Sequence, residues 1–201
     1  MIELHIAARG VRDPALLAAF RAVPRELFVA AEYAAEAYGD HPLPIAAGQT
    51  ISQPYIVALM VDAAAVGGGD CVLEVGAGSG YAAAILGHLA ASVVAVERHA
   101  ELADAARARL ARLGLANVRI VDGDGTGGWP AAAPYDAILT AAAAPAVPPA
   151  LVDQLGPGGR RVIPLGAPGG IQQLVRLTRD GAGRLARDDL CAVRFVPLVG
   201  G

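Results

Sequence analysis

Residues 72–81 read Val-Leu-Glu-Val-Gly-Ala-Gly-Ser-Gly-Tyr and carry the strongest indication of the fold. Together with Cys71, the first part of this stretch is an apolar run rich in β-branched residues, which is typical of a buried parallel strand. The run ends at Gly76, Gly78 and Gly80, and an alanine-rich segment follows at once. Glycines let the backbone turn sharply and approach a ligand beside the positive N-terminus of the next helix. The stretch therefore predicts a nucleotide-type site at the carboxyl edge of a parallel sheet.

The spacing of these glycines separates two classes of nucleotide site. The dinucleotide fingerprint G-x-G-x-x-G requires a small residue at the position of Tyr81. Here the glycines follow G-x-G-x-G, and Glu74 lies inside the strand, two residues before the turn. This variant resembles the S-adenosylmethionine site of class I methyltransferases. A plain strand-to-helix turn uses the same glycines, so the assignment depends on further features of the chain.

Length, composition and charge exclude several classes of protein. With 201 residues, 55% hydrophobic and 17% charged, the chain suits one domain with a sizeable core and excludes disorder. A net charge of −3 gives no electrostatic reason to expect a nucleic-acid partner. The histidines and cysteines lack metal-ligand spacing, so no metal is expected. The uncharged stretches 81–96 and 137–152 contain a histidine or several prolines and do not resemble membrane spans. The N-terminus lacks the pattern of a signal peptide, and we expect a cytoplasmic monomer.

Strands and helices alternate along most of the chain. The first predicted helix begins at Asp13-Pro14 and is ended by Pro24. The other predicted helices are 29–38, 54–66, 80–90, 100–113 and 149–155, and the predicted strands are 71–75, 92–96, 118–122, 135–140, 161–165, 172–179 and 190–198. Residues 40–55 show the apolar periodicity of neither a helix nor a strand, and their prolines indicate an ordered loop.

This order of elements predicts one α/β domain. We expect the Rossmann-like fold of class I methyltransferases, a mostly parallel, doubly wound sheet that ends in a β-hairpin and carries extra N-terminal helices. Within the single domain 1–201, residues 1–53 would supply the N-terminal helices and a substrate loop. Residues 54–166 would form the cofactor-binding core, and residues 167–201 the C-terminal hairpin.

Three acidic side chains lie on or after consecutive predicted strands. Glu97 closes one strand, where a carboxylate can accept hydrogen bonds from ribose hydroxyls, although an ordinary solvated carboxylate fits the same position. Asp124, between Gly123 and Gly125, follows the next strand and could accept from an adenine amino group, but Asp-Gly turns are common without a ligand. With Glu74 these groups surround one crevice, and their convergence favours a cofactor site.

The loop before the 54–66 helix carries the most specific signal. Residues 48–55, Gly-Gln-Thr-Ile-Ser-Gln-Pro-Tyr, resemble the signature of the protein-L-isoaspartate O-methyltransferase family. The resemblance continues, in the same order, over nearly the whole chain. The other matching segments are 12–14, 23–25, 27–28, 40–45, 72–81, 96–98, 123–125, 134–138, 140–145, 158–160 and 194–198. A shared fold alone would preserve only the glycine stretch.

The resemblance implies methyl transfer from S-adenosylmethionine to the α-carboxylate of L-isoaspartyl residues in damaged proteins and peptides. The methyl ester then collapses to a succinimide, and hydrolysis partly restores aspartate. The family's active-site serine falls on Ser52, with Pro44, Thr50 and Ile51 as further substrate-binding residues. The implied cofactor site comprises Glu74, Gly76, Ala77, Gly78, Ser79, Gly80, Glu97, Arg98, Gly123, Asp124 and Gly125.

Such a transfer needs few catalytic groups. A carboxylate with a pKa of about 4 is ionised at neutral pH, so its methylation requires no general base. What remains is alignment of the carboxylate with the methyl group and exclusion of water, and orientation can lower the barrier by roughly 7–11 kcal/mol. Ser52 would therefore hold the carboxylate by a hydrogen bond and would not act as a nucleophile.

Other interpretations stay open at this stage. Ser52 lies just before Pro54, and it could instead be the N-cap of the 54–66 helix. The chain could methylate a small molecule, which loop 48–55 argues against. It could also be a non-catalytic module that kept the cofactor fold, although its intact site residues give no sign of decay. A dehydrogenase that binds nicotinamide is disfavoured by Tyr81.

Overall fold

A central sheet of seven strands organises residues 1–200, the part of the chain that the computed structural model describes. Two short strands, β1 Leu43–Pro44 and β2 Thr50–Ile51, form a separate small sheet. The strands of the central sheet are β3 Cys71–Val75, β4 Ser92–Glu97, β5 Val118–Asp122, β6 Tyr135–Thr140, β7 Leu155–Leu165, β8 Gln172–Arg179 and β9 Leu185–Val193. The α-helices are α1 Pro14–Ala22, α2 Pro54–Ala64, α3 Tyr81–Gly87, α4 Ala100–Arg112 and α5 Pro149–Asp153. A π-helical turn, Ile2–Ile6, and short 3₁₀ turns occupy much of the N-terminal region.

The strand order confirms the predicted α/β class. Across the sheet the order is β5-β4-β3-β6-β7-β8-β9, with parallel pairing from β5 to β7 and antiparallel pairing from β7 to β9. The order reverses between β3 and β6. In open α/β sheets, ligands bind outside the carboxyl ends of the strands at such a reversal. The strand ends Val75, Glu97, Asp122 and Thr140 meet at that edge.

Both faces of the parallel strands are covered, as their continuous apolar composition requires. Along β3, Val72 joins the core cluster that includes residues of α1, α2, α3 and α4. Leu73 and Val75 point to the opposite face, where they pack in a second cluster with Leu151 of α5. Glu74 shares the face of Val72, since side chains alternate along a strand. The buried acid therefore lies on the side of the sheet that the N-terminal helices cover.

The N-terminal segment packs against the start of α3. Asp13 caps α1 by accepting a hydrogen bond from the Leu16 N–H at 2.9 Å, as predicted. Phe20 and Phe28 contact the Tyr81 ring edge-on, with centroid separations of 6.1 and 5.3 Å. The predicted 29–38 helix is wrong in type: a 3₁₀ turn spans 31–36, and none of its residues is buried. Without an apolar face to pack, a short helix gains little stability.

Three other predicted elements differ from the structure. The strand predicted at 161–165 is β7, which begins at Leu155, so the helix predicted at 149–155 ends at Asp153. The loop 40–55 is not irregular throughout, because β1 and β2 pair antiparallel and bury Leu43 opposite Ile51. The last strand lies at 185–193 and not at 190–198, because it pairs with β8 along its length. Residues after Val193 leave the sheet edge, and Ala143 instead exchanges backbone hydrogen bonds with residues 196 and 198 at 2.8 and 2.7 Å.

Within residues 1–200, none of the helices combines the length and the hydrophobicity that a membrane span requires. Nor do the histidine, cysteine, aspartate and glutamate side chains of these residues form a group of three that could hold a metal ion.

A pair of glycine substitutions tests how tightly the glycine loop packs on α4. Gly80 and Gly114 both have left-handed backbone, with φ of 86° and 70°, so alanine at either costs about 1–2 kcal/mol in backbone strain. A Cβ at Gly80 would also lie 3.0 Å from the Ala106 Cβ, whereas nothing lies within 4 Å at Gly114. Urea denaturation should show a larger loss of stability for Gly80→Ala than for Gly114→Ala. Equal losses would show that α4 can move away from the added Cβ without a further loss in the free energy of unfolding.

Candidate functional site

A cavity opens at the carboxyl ends of β3, β4 and β6. The space between its walls that holds no protein atoms measures about 830 Å³, a figure that includes solvent at the open mouth. Four segments supply most of its wall: residues 49–52 before α2, the end of β3 with the glycine loop at 74–79, the end of β4 at 96–99, and the C-terminal segment 196–199. The cavity therefore draws on all three predicted parts of the domain.

Most of the predicted site residues lie together on this cavity. Those that line it are Thr50, Ile51, Ser52, Glu74, Gly76, Ala77, Gly78, Ser79, Glu97, Arg98 and Gly125. Gly80 lies just behind it as the residue that precedes α3. Gly123 and Asp124 are beside it, and Asp124 accepts hydrogen bonds from the N–H and hydroxyl of Thr126 at 2.8 and 2.7 Å. Pro44 lines a separate depression with Ser79, since it alternates with the buried Leu43 on β1.

Glu97 joins the glycine loop to the end of β4. Its Oε2 accepts a hydrogen bond from the Gly78 N–H at 2.8 Å, and its Oε1 accepts from the His99 N–H at 2.9 Å. The residue is only 5% exposed, so the alternative of a solvated strand-end carboxylate is wrong. Each carboxylate oxygen has a second lone pair, which leaves acceptor capacity toward the cavity that Glu97 lines.

Glu74 is an acid without a partner on the cavity wall. It is 2% exposed, and its Oε2 makes no hydrogen bond with any residue in 1–200. Burial, followed by repulsion from Glu97, raises the pKa of Glu74 to about 8. A buried, unpaired carboxyl beside a cavity is costly unless a ligand completes it. The cationic amino-acid part of S-adenosylmethionine has the matching charge, so the residues present fit that cofactor.

The N-terminus of α2 is capped in an unexpected way. The N-cap position is Gln53, so Ser52 is not the cap residue and that alternative is wrong. The cap comes from Asp40, whose Oδ1 accepts from the Tyr55 N–H at 3.2 Å. Its Oδ2 accepts from the Gln53 side chain at 2.8 Å and from Arg9 at 3.0 Å. This arrangement leaves the half-buried Ser52 hydroxyl available on the cavity wall.

Ser52 lies where the cavity meets an adjoining open groove. Ser52, Thr50, Ala141 and Val196 line both. The groove also contacts apolar side chains of α2 and of the C-terminal region, and Arg194 lies on it, exposed. Residues 76–79 of the glycine loop line the cavity but not the groove. The arrangement suits a small ligand in the cavity and a larger one in the groove.

Sequence reasoning missed several residues that support the cavity wall through hydrogen bonds. Asp40 and Arg25 were not singled out, although both lie in segments that resemble the family. The C-terminal segment was assigned to a strand, yet Leu198 and Val199 line the cavity, and Arg98 donates a hydrogen bond to the Val199 carbonyl at 3.2 Å.

Comparison with known proteins agrees with this geometry. The family model of protein-L-isoaspartate(D-aspartate) O-methyltransferase (PCMT) matches residues 1–201. A protein-L-isoaspartate O-methyltransferase of Methylorubrum populi is 63% identical over 201 residues, covering 100% of this chain and 94% of the relative.

Two solved structures extend the comparison. A protein-L-isoaspartate O-methyltransferase aligns with a TM-score of 0.89 and 30% identity over 100% of this chain and 66% of the other. A Plasmodium falciparum protein, described as a putative enzyme of the same type in complex with S-adenosyl-L-homocysteine, aligns with a TM-score of 0.83 and 25% identity over 96% and 94%. This chain belongs to the protein-L-isoaspartate(D-aspartate) O-methyltransferase family.

Proposed function

We propose that this protein methylates the α-carboxylate of L-isoaspartyl residues in damaged proteins and peptides, with S-adenosylmethionine as donor. Family membership over the whole chain supports the activity. The single structural observation that carries the site is the position of Ser52, at the junction between the cavity and the adjoining groove. The cavity suits the cofactor, and the groove suits a peptide that presents its isoaspartyl side branch.

Each segment of the cavity has a proposed part in holding the cofactor. Glu74 pairs with the ammonium group, and Glu97 accepts hydrogen bonds from the ribose hydroxyls with its remaining lone pairs. The backbone of the glycine loop 76–79 lies against the cofactor, close to the N-terminus of α3. Arg98 and residues 123–125 border the adenine. When bound, the cofactor supplies an electrophilic methyl group on a sulfonium centre.

The substrate carboxylate is the nucleophile. Ionised at neutral pH, it gives up no proton on attack, so the protein needs no general base. An oxygen of the carboxylate bonds to the methyl carbon as the carbon–sulfur bond breaks, which yields a methyl ester and S-adenosylhomocysteine. Ser52 donates a hydrogen bond to the carboxylate, with Thr50 and Ile51 beside it, and the surrounding wall excludes water. The amide nitrogen of the isopeptide bond then attacks the ester carbonyl and methanol leaves, which gives the succinimide without further catalysis.

Three parts of the single domain contribute to the proposed activity. Residues 1–53 form the N-terminal cover and substrate loop, 54–166 the cofactor core, and 167–201 the hairpin and the cavity's outer wall. The protein acts as a monomer in the cytoplasm, without a metal or a nucleic acid. Its net charge of −3 supports the last point, since phosphate would be repelled.

The activity is tested with tritiated S-adenosylmethionine and two peptides that differ only in one L-isoaspartyl or L-aspartyl residue. Base-labile label should appear on the isoaspartyl peptide alone. Label on neither peptide, with the cofactor still bound, would reject repair activity and favour a small-molecule acceptor.

Ser52→Ala tests the proposed hydrogen bond to the carboxylate. Loss of a hydrogen bond to a charged group should lower kcat/KM for the isoaspartyl peptide by about 10- to 100-fold. Calorimetry should show unchanged affinity for S-adenosylhomocysteine. Ser92→Ala removes the same hydroxyl from an exposed position at the start of β4 and should leave kcat/KM unchanged. If Ser52→Ala matched this control, Ser52 would have no part in methyl transfer.

The raised pKa of Glu74 predicts how stability depends on pH. Between its ordinary value of 4.5 and about 8, the folded protein holds a proton on Glu74 that the unfolded chain has released. The cofactor-free protein should therefore lose stability as pH rises through this window, by up to about 1.4 kcal/mol per pH unit. Urea denaturation at several pH values measures the slope.

Glu74→Gln should remove this contribution to the slope, because glutamine does not titrate. Glu32→Gln deletes a carboxyl from an exposed position and should leave the slope unchanged. The same pH dependence in Glu74→Gln and in the unmodified protein would place the titrating group elsewhere.

A further inference from the structure

Arg25 is a buried cation that the proposed mechanism does not use. It is 0% exposed, and burial lowers the pKa of its guanidinium. Burying a charge is costly unless the surrounding groups compensate it, so a fully enclosed arginine requires a structural or functional reason.

The contacts of Arg25 connect two walls of the cavity. Its Nη2 donates a hydrogen bond to the Ser52 carbonyl oxygen at 2.8 Å, and its Nε donates to the Ala37 carbonyl at 2.8 Å. The guanidinium carbon lies 4.7 Å from the centroid of the Tyr81 ring. Tyr81 is the first residue of α3 after the glycine loop and lines the cavity itself. One side chain therefore holds the Ser52 backbone against the start of the cofactor helix.

The hydrogen bond to Ser52 falls at the point where the local backbone has least other support. Pairing of β2 with β1 extends only to Ile51, and α2 begins at Pro54. Between them, Asp40 fixes the Gln53 side chain and the Tyr55 N–H, but it does not bond to Ser52. The charge-assisted bond from Arg25 thus restrains the peptide unit that follows Ser52. The Ser52 Cα belongs to that peptide unit, so a displacement of the unit would move the Ser52 side chain and its hydroxyl.

We propose that Arg25 is a positioning residue for methyl transfer: it holds the Ser52 carbonyl so that the Ser52 hydroxyl faces the substrate carboxylate. The inference rests on the proposed function of Ser52. Arg25 does not line either the cavity or the groove, so it acts through the Ser52 backbone and not through contact with a ligand. Lysine would keep the charge but lose the planar fork that reaches two carbonyls and stacks on a ring.

A double-mutant cycle separates positioning from a general structural role. Arg25→Lys and Arg25→Gln are each made with Ser52 present and in the Ser52→Ala background. Rates are expressed per S-adenosylhomocysteine-binding site, which removes any unfolded fraction. With Ser52 present, each substitution should lower kcat/KM for the isoaspartyl peptide by about tenfold, with the glutamine variant the more affected. In the Ser52→Ala background the further loss should be less than about twofold, because the hydroxyl to be positioned is gone. Arg21→Lys, at an exposed position on α1, should change nothing.

Each contrary outcome has a distinct meaning. Equal losses in both backgrounds, or a loss explained by weaker S-adenosylhomocysteine binding, would overturn positioning while leaving the proposed function intact. If neither Arg25 variant bound S-adenosylhomocysteine, Arg25 would be required for folding, and this result would also overturn positioning while leaving the proposed function intact. An unmodified protein that methylates the isoaspartyl peptide but is unaffected by Ser52→Ala would overturn the role of Ser52 and this inference with it. Failure of the unmodified protein to methylate would reject the proposed function itself.

Discussion

The constraint on which the rest of the structure depends is the backbone of the glycine loop. Gly76, Gly78 and Gly80 have φ of 88°, 54° and 86°. This left-handed conformation would cost a residue with a side chain about 1–2 kcal/mol at each position. The N–H groups of Gly76 and Ala77 both donate to the Val96 carbonyl, at 2.9 and 3.1 Å. The loop is therefore fixed to the end of β4 on one side, and it directs the chain into α3 on the other.

Buried polar groups then place the other walls relative to this loop. Glu97 binds Gly78 from the end of β4, and Arg25 holds the Ser52 backbone beside Tyr81. Backbone hydrogen bonds with Ala143 hold the C-terminal segment on the cavity wall. These contacts join residues that are far apart in sequence, so the site exists only in the complete fold. Hydrogen bonds with buried partners have restricted geometry, which suits a reaction that depends on orientation.

The sequence predicted the features whose cause is local. The glycine spacing, the apolar strand and the alternation of elements are local patterns, so the α/β class, the mostly parallel sheet and the glycine loop were predicted correctly. The capping rule failed at Ser52 because the distant carboxylate of Asp40 caps α2 instead. The end of the last strand was missed because pairing with β8 determines it. Arg25 gave no local signal, since its neighbours in space come from residues 37, 52 and 81.

The charge distribution around Ser52 follows from the reaction proposed for it. An anionic carboxylate and a cationic sulfonium lose their charges as the methyl group moves, so the transition state is less charged than the bound reactants. A cation in direct contact with the carboxylate would stabilise the reactants more than the transition state and would slow the transfer. A neutral hydroxyl orients the carboxylate with less of this penalty. The Arg25 guanidinium lies behind the Ser52 carbonyl, and Arg194, on the groove, is exposed to water, which weakens its field. The arrangement thus favours orientation of the substrate over electrostatic attraction to it.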